Sequence, residues 1–135
     1  MNAQSVIHYA VGVLKVKHVV VCGHYGCGGV QAAMTPADLG VLNGWLREVR
    51  DVYRLHAHEL DAIEDRDARL RRLVEINVRE QCFNVIKTAI VQQCYDATGR
   101  PEVHGWVYDL HDGHLKDLEI PFGELLDEVC KIYDI

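Results

Sequence analysis

Residues 19–29 read VVVCGHYGCGG, and this stretch decides the fold. Three valines lead into a glycine-rich turn that carries His24 and Cys27, three positions apart. A short β-branched run bounded by glycines reads as a buried strand. The residues that follow, Val30 to Met34, read as the first turns of a helix. The stretch is therefore a strand that delivers two metal-type side chains at its C-terminal end, where open α/β sheets hold their ligands.

On the N-terminal side, Val6, Ile7, Tyr9, Ala10, Val13 and Leu14 recur with the helical period, which predicts a helix over Ser5–Leu14. The strand then occupies roughly His18 to Cys22. On the C-terminal side, the helix after the glycines stops near Thr35–Pro36. A second helical stretch runs from Leu39 to about His58, with Leu42, Trp45, Leu46, Val49 and Tyr53 on one face. Residues 61–67 are acidic and form a loop or a helix start. From Leu70 to Ile90 a long helical stripe follows, and Gly99 with Pro101 marks its stop. Glu102–Leu110 reads as a second strand, His111-Asp112-Gly113 as a hairpin turn and Leu115–Ile120 as a half-exposed third strand. Phe122, Leu125, Leu126 and Val129 make a terminal helix.

A strand joined to another by a long helical crossover implies parallel pairing. The expected fold is α/β: a mostly parallel sheet with flanking helices and a C-terminal β-hairpin, one domain over residues 1–135. Parallel sheets are seldom built from so few strands, so the chain reads as part of a larger sheet.

The formal charge of −6 comes without a basic block, which argues against nucleic acid as a partner. No apolar run reaches the roughly 18 residues a membrane span requires. The opening MNAQSVIHYAV has no basic region ahead of an apolar one, so no secretion signal is expected. Five scattered cysteines are not a disulfide framework and suit a reducing compartment, the cytoplasm.

Zinc takes thiolate and imidazole ligands, usually four in a tetrahedron. His-x-x-Cys at a strand end fits that chemistry. The spacing alone equally fits a buried cysteine and a core histidine beside a glycine turn; the flanking glycines and the strand-to-helix position favour metal. A phosphate loop is excluded, because the Lys-Ser/Thr pair is absent and the glycines lack dinucleotide spacing. Elsewhere, His56 and His58 read as solvated, His104 as packed in the sheet, and His111 and His114 as a surface turn pair. Cys82 falls in the apolar stripe and reads as core.

VKHVVVCGHYGCGGVQAA strongly resembles a zinc-ligand segment of the β-class carbonic anhydrases. The likeness continues through LNGWLREVRDV, INVREQCFNV and HGWVYDLHDGHLKDLEI, from about Asn2 to Ile120. The resemblance implies a dimeric or larger α/β protein that converts carbon dioxide reversibly to bicarbonate and a proton. It implies Zn2+ on His24 and Cys27 and a substrate pocket lined by Gly28 and Gly29. Tyr108 matches a tyrosine that, in some members, belongs to an inhibitory bicarbonate site.

The family also carries a Cys-x-Asp-x-Arg segment on an earlier strand. Its cysteine is a third zinc ligand, and its Asp and Arg orient the metal-bound water. No such segment occurs in these 135 residues. The expectation is a member shortened at its N-terminus, missing the first strands, with activity weak or absent. A catalytic zinc needs three protein ligands and an open position. A bared strand edge must be covered or paired. A second copy of the chain would cover it, and two His24–Cys27 pairs could then build one closed, structural Cys2His2 zinc site.

Overall fold

The computed structural model describes residues 1–133. Helix α1 (Asn2–His8) continues as a π-helical turn over Tyr9–Val13, and the Leu14 N–H donates to the Tyr9 carbonyl at 3.0 Å. Strand β1 (His18–His24) follows, then the short helix α2 (Gly28–Ala33). A 3-10 turn at Gly40–Leu42 leads into α3 (Asn43–Leu55), α4 (Ala57–Asp61) and the long α5 (Arg66–Ile86). Helix α6 (Ala89–Thr98), β2 (Glu102–Tyr108), β3 (Leu115–Asp117) and α7 (Phe122–Cys130) complete the order.

The strands lie in the order β1-β2-β3. β1 and β2 are parallel and flush, from His18 opposite Glu102 to His24 opposite Tyr108. β3 runs antiparallel to β2. Among the described residues, β1 is thus an edge strand.

The period-2 alternation of both strands sorts their side chains. Val19, Val21 and Gly23 share one face with Val103, Gly105 and Val107. That face lies on α5, whose Leu73, Val74, Val78 and Cys82 are buried in the same core. The approach is close: a Cβ added at Gly23 would lie 2.6 Å from Val78 Cγ2. The other face carries His18, Val20, Cys22 and His24 beside Glu102, His104, Trp106 and Tyr108, and Val20 and Cys22 on it are exposed. Among the described residues, no helix is long and apolar enough to cross a membrane.

Four local expectations change. The stripe expected as one long helix is broken at Thr88, which is extended (φ −72°, ψ 137°) and whose hydroxyl donates to the Val85 carbonyl at 2.7 Å. A threonine hydroxyl that bonds local backbone offers the chain an alternative to the helix. The stretch from Leu39 is not one amphipathic helix. Its first turn is 3-10, and Leu42 and Trp45 stay more than half exposed, while α3 buries Leu46 and Val49 as expected, together with Val52. Strand β3 has only three residues, all exposed, because Glu119 takes a left-handed φ of 51° and its N–H is held by the Asp117 carboxylate at 2.8 Å. His56 is not simply solvated: its Nε2 lies 2.9 Å from Glu80 Oε1.

Candidate metal site at the end of β1

Strand β1 ends at His24, and the chain then turns sharply. Gly26 holds φ +68°, a conformation that L side chains rarely adopt. Cys27 caps α2 from an extended conformation, and its carbonyl accepts the Gln31 N–H at 2.9 Å. The turn leaves His24 exposed and Cys27 half-buried.

His24 Nδ1 lies 2.9 Å from the Tyr25 carbonyl, an acceptor, so Nδ1 carries the N–H. Nε2 is then left with its lone pair. Metal-binding histidines are commonly fixed in this way by a backbone carbonyl on the second ring nitrogen. Tyr25 is itself anchored. Its N–H donates to the Tyr108 carbonyl at 3.0 Å, and its hydroxyl donates to Glu75 Oε1 at 2.5 Å. Glu75 also accepts from Lys116 at 2.7 Å and Arg72 at 3.1 Å, while the Arg71 guanidinium lies 3.8 Å over the Tyr25 ring.

Burial alone raises the Glu75 carboxyl, but the hydrogen bonds from Lys116, Tyr25 and Arg72 together leave its pKa lowered. The Tyr25 hydroxyl is raised, first by burial and then by Glu75. Sequence reading missed this cluster, since Tyr25, Glu75 and Lys116 are far apart in the chain. Only the strand register and the crossing of α5 bring them together.

The predicted pocket residues divide. A Cβ at Gly29 would meet the Trp45 ring at 2.7 Å and would lie 3.8 Å from Cys27 Sγ, so only glycine leaves room for that indole beside the thiol. Gly28 faces open space and borders a hollow of about 320 Å³ whose lining includes Gln31, Thr35 and Arg66 but neither His24 nor Cys27. Tyr108 sits opposite His24 in the strand register.

His24 and Cys27 fit zinc in kind, with an imidazole held in the correct tautomer and a thiol at a helix start. They fall short in number. Among the described residues, neither belongs to a set of three histidine, cysteine or carboxylate groups with ligand atoms within 4.8 Å of one another. Cys22 shares the face of His24 by strand alternation, but it does not complete such a set. Cys94 and Asp96 echo the start of the Cys-x-Asp-x-Arg pattern, but Cys94 is buried on α6, and Thr98 stands where the arginine would be. Among the described residues, the one set of three lies at the other end of the strands: His18, Glu102 and His104.

Comparison with known proteins bears on both the fold and the site. The family model for carbonic anhydrase matches residues 1–115. The chain is 64% identical over all 135 residues to a carbonic anhydrase of Emericella nidulans, and it spans 59% of that protein. It is 33% identical over 129 residues to one of Candida albicans, spanning 46% of its length. In structure it resembles a β-carbonic anhydrase of Aspergillus fumigatus, with a TM-score of 0.88 and 36% identity, covering 98% of this chain and 63% of that one. It also resembles a tetrameric β-carbonic anhydrase of Sordaria macrospora, with a TM-score of 0.82 and 39% identity, covering 87% and 60%. The chain thus spans about half to three fifths of the relatives it matches.

Proposed function

Because the chain belongs to the β-carbonic anhydrase family, we propose that His24 and Cys27 are two of its zinc ligands and that its chemistry is the reversible hydration of carbon dioxide to bicarbonate. The observation that carries this reading is the His24 ring, pinned through Nδ1 to the Tyr25 carbonyl in the same turn that carries Cys27 three residues on. Zinc, when bound, supplies Lewis acidity that activates water near neutral pH. The protein supplies the rest. His24 and Cys27 hold the ion, the missing side chain of Gly29 lets the Trp45 indole close one wall beside the Cys27 thiol, Gly28 leaves the other side open for carbon dioxide, and Tyr108, opposite His24 in the register, meets bicarbonate. With two donors in place of three, this chain alone hydrates carbon dioxide weakly or not at all. Its cysteine usage fits a reducing, cytoplasmic setting.

A second reading rests on the open face of the sheet. Val20 and Cys22 are exposed on the edge strand, and the buried Trp106 Nε1–H on the same face has no acceptor among the described residues. A homodimer joined there would bring two His24–Cys27 pairs into one structural site.

Metal analysis and stopped-flow hydration test both readings. His24→Ala with Cys27→Ser should remove one zinc per chain in the first reading and half an equivalent in the second. Unchanged zinc would place the ion elsewhere and overturn both. A hydration rate of the zinc-loaded chain above that of buffer, even a small one, supports the first reading; a rate no better than buffer would sink it for this chain and leave the structural reading.

A further inference from the structure

The parallel register builds a second donor set at the opposite end of the strands from His24. His18 pairs with Glu102, and His104 follows two residues later on the same face. Two strands thus converge three metal-type side chains, with ligand atoms mutually within 4.8 Å. His18 Nδ1 lies 2.9 Å from His104 Nε2, and the rings are 5.1 Å apart between centroids. Two imidazoles in this contact share one proton between two lone pairs. Glu102 lies partly buried beside them, with Arg100 Nη1 2.5 Å from its Oε1.

We propose that His18, Glu102 and His104 form a second site, for a divalent transition ion of the zinc class. Two imidazoles and a carboxylate are a donor set that zinc accepts, with a fourth position left for water. Zinc–nitrogen bonds of about 2.0–2.1 Å in a tetrahedron place two ring nitrogens about 3.3 Å apart. The His18–His104 contact therefore needs to open by only a few tenths of an ångström. The ring that donates in this contact shifts its proton through water to its other nitrogen, so that both facing nitrogens present lone pairs to the ion and no net proton is released. Glu102 contributes an oxygen alongside its Arg100 contact. The set holds no sulfur, which separates it chemically from His24 and Cys27.

The test uses the full chain carrying His24→Ala and Cys27→Ser, titrated with zinc alone by calorimetry. This variant should still bind one zinc per chain. Adding His104→Ala, or separately His18→Ala, should weaken that binding at least tenfold, with thermal melting showing that each variant remains folded. His18 is exposed, so its replacement keeps the test usable if His104→Ala does not fold. Cobalt in place of zinc should give visible ligand-field bands without a thiolate-to-cobalt charge-transfer band. No binding by the starting variant, binding that survives both histidine replacements, or a thiolate band would overturn the proposal. Failure of the first site reads differently: zinc content is then unchanged between the wild-type chain and the His24→Ala, Cys27→Ser variant.

Discussion

Single cysteines in this chain differ by environment rather than by type. Cys82 has no exposed surface and lies beneath the sheet, and burial pushes its thiol up to about 12. Cys22 is exposed at the strand edge. A thiol reagent under native conditions should therefore leave Cys82 untouched until the protein unfolds, and should reach Cys22 only in chains whose β1 edge is unpaired; mass mapping of the labelled peptides checks this. The same burial fixes a sign. The folded state holds the Cys82 proton above its ordinary pKa of 9.0, so stability is full below that pH and is lost as pH rises from 9 toward 12. The raised Tyr25 hydroxyl acts in the same direction above pH 10. Denaturant midpoints should fall across this alkaline range, and Cys82→Ala should make the fall shallower.

Among the elements, β1 and α5 are the tightest pair. Gly23→Ala places a methyl 2.6 Å from Val78, so it should cost about 1–3 kcal/mol of stability through overpacking. Gly28→Ala meets open space and should change the unfolding midpoint far less. Urea unfolding of the two variants makes the comparison. The elements show how much was legible in the sequence. The valine run and the left-handed Gly99 stop are local signals, and local signals survive folding; the acidic stretch, readable as a loop or a helix start, resolves into the Asp65 cap, whose carboxylate accepts the Ala68 N–H at 2.7 Å. The break at Thr88 and the shortness of β3 depend on one hydroxyl and one carboxylate choosing backbone partners, which periodicity cannot register. The proposed ligands His24 and Cys27 can be picked out from the sequence because they sit in one turn. The Glu75 cluster and the His18–Glu102–His104 set cannot, because they arise only from strand register.

At the scale of the whole molecule, the sheet has two edges among the described residues, the seven-residue β1 and the three-residue β3, and β1 is the long one. β2 is flanked by β1 and β3, whereas β1 has an open edge and the face bearing Trp106 lacks an acceptor for its indole among the described residues. Unpaired strand edges recruit further strands. The chain should therefore sediment as a dimer or larger, and replacing the edge residue Val20 with lysine should shift it toward monomer while leaving its helical signal intact. A monomeric wild type by analytical ultracentrifugation would remove the paired-edge reading.

The flush pairing of β1 with β2 also makes the molecule a ruler. Six residue steps separate His18 from His24 without a bulge, and at about 3.3 Å each they set the two strand ends about 20 Å apart. Paramagnetic copper loaded at both ends, in an assembly where the labelled chain is diluted with metal-site-free copies, would show a dipolar spacing near that length in pulsed electron resonance. A broad distribution would mean that the ladder slips.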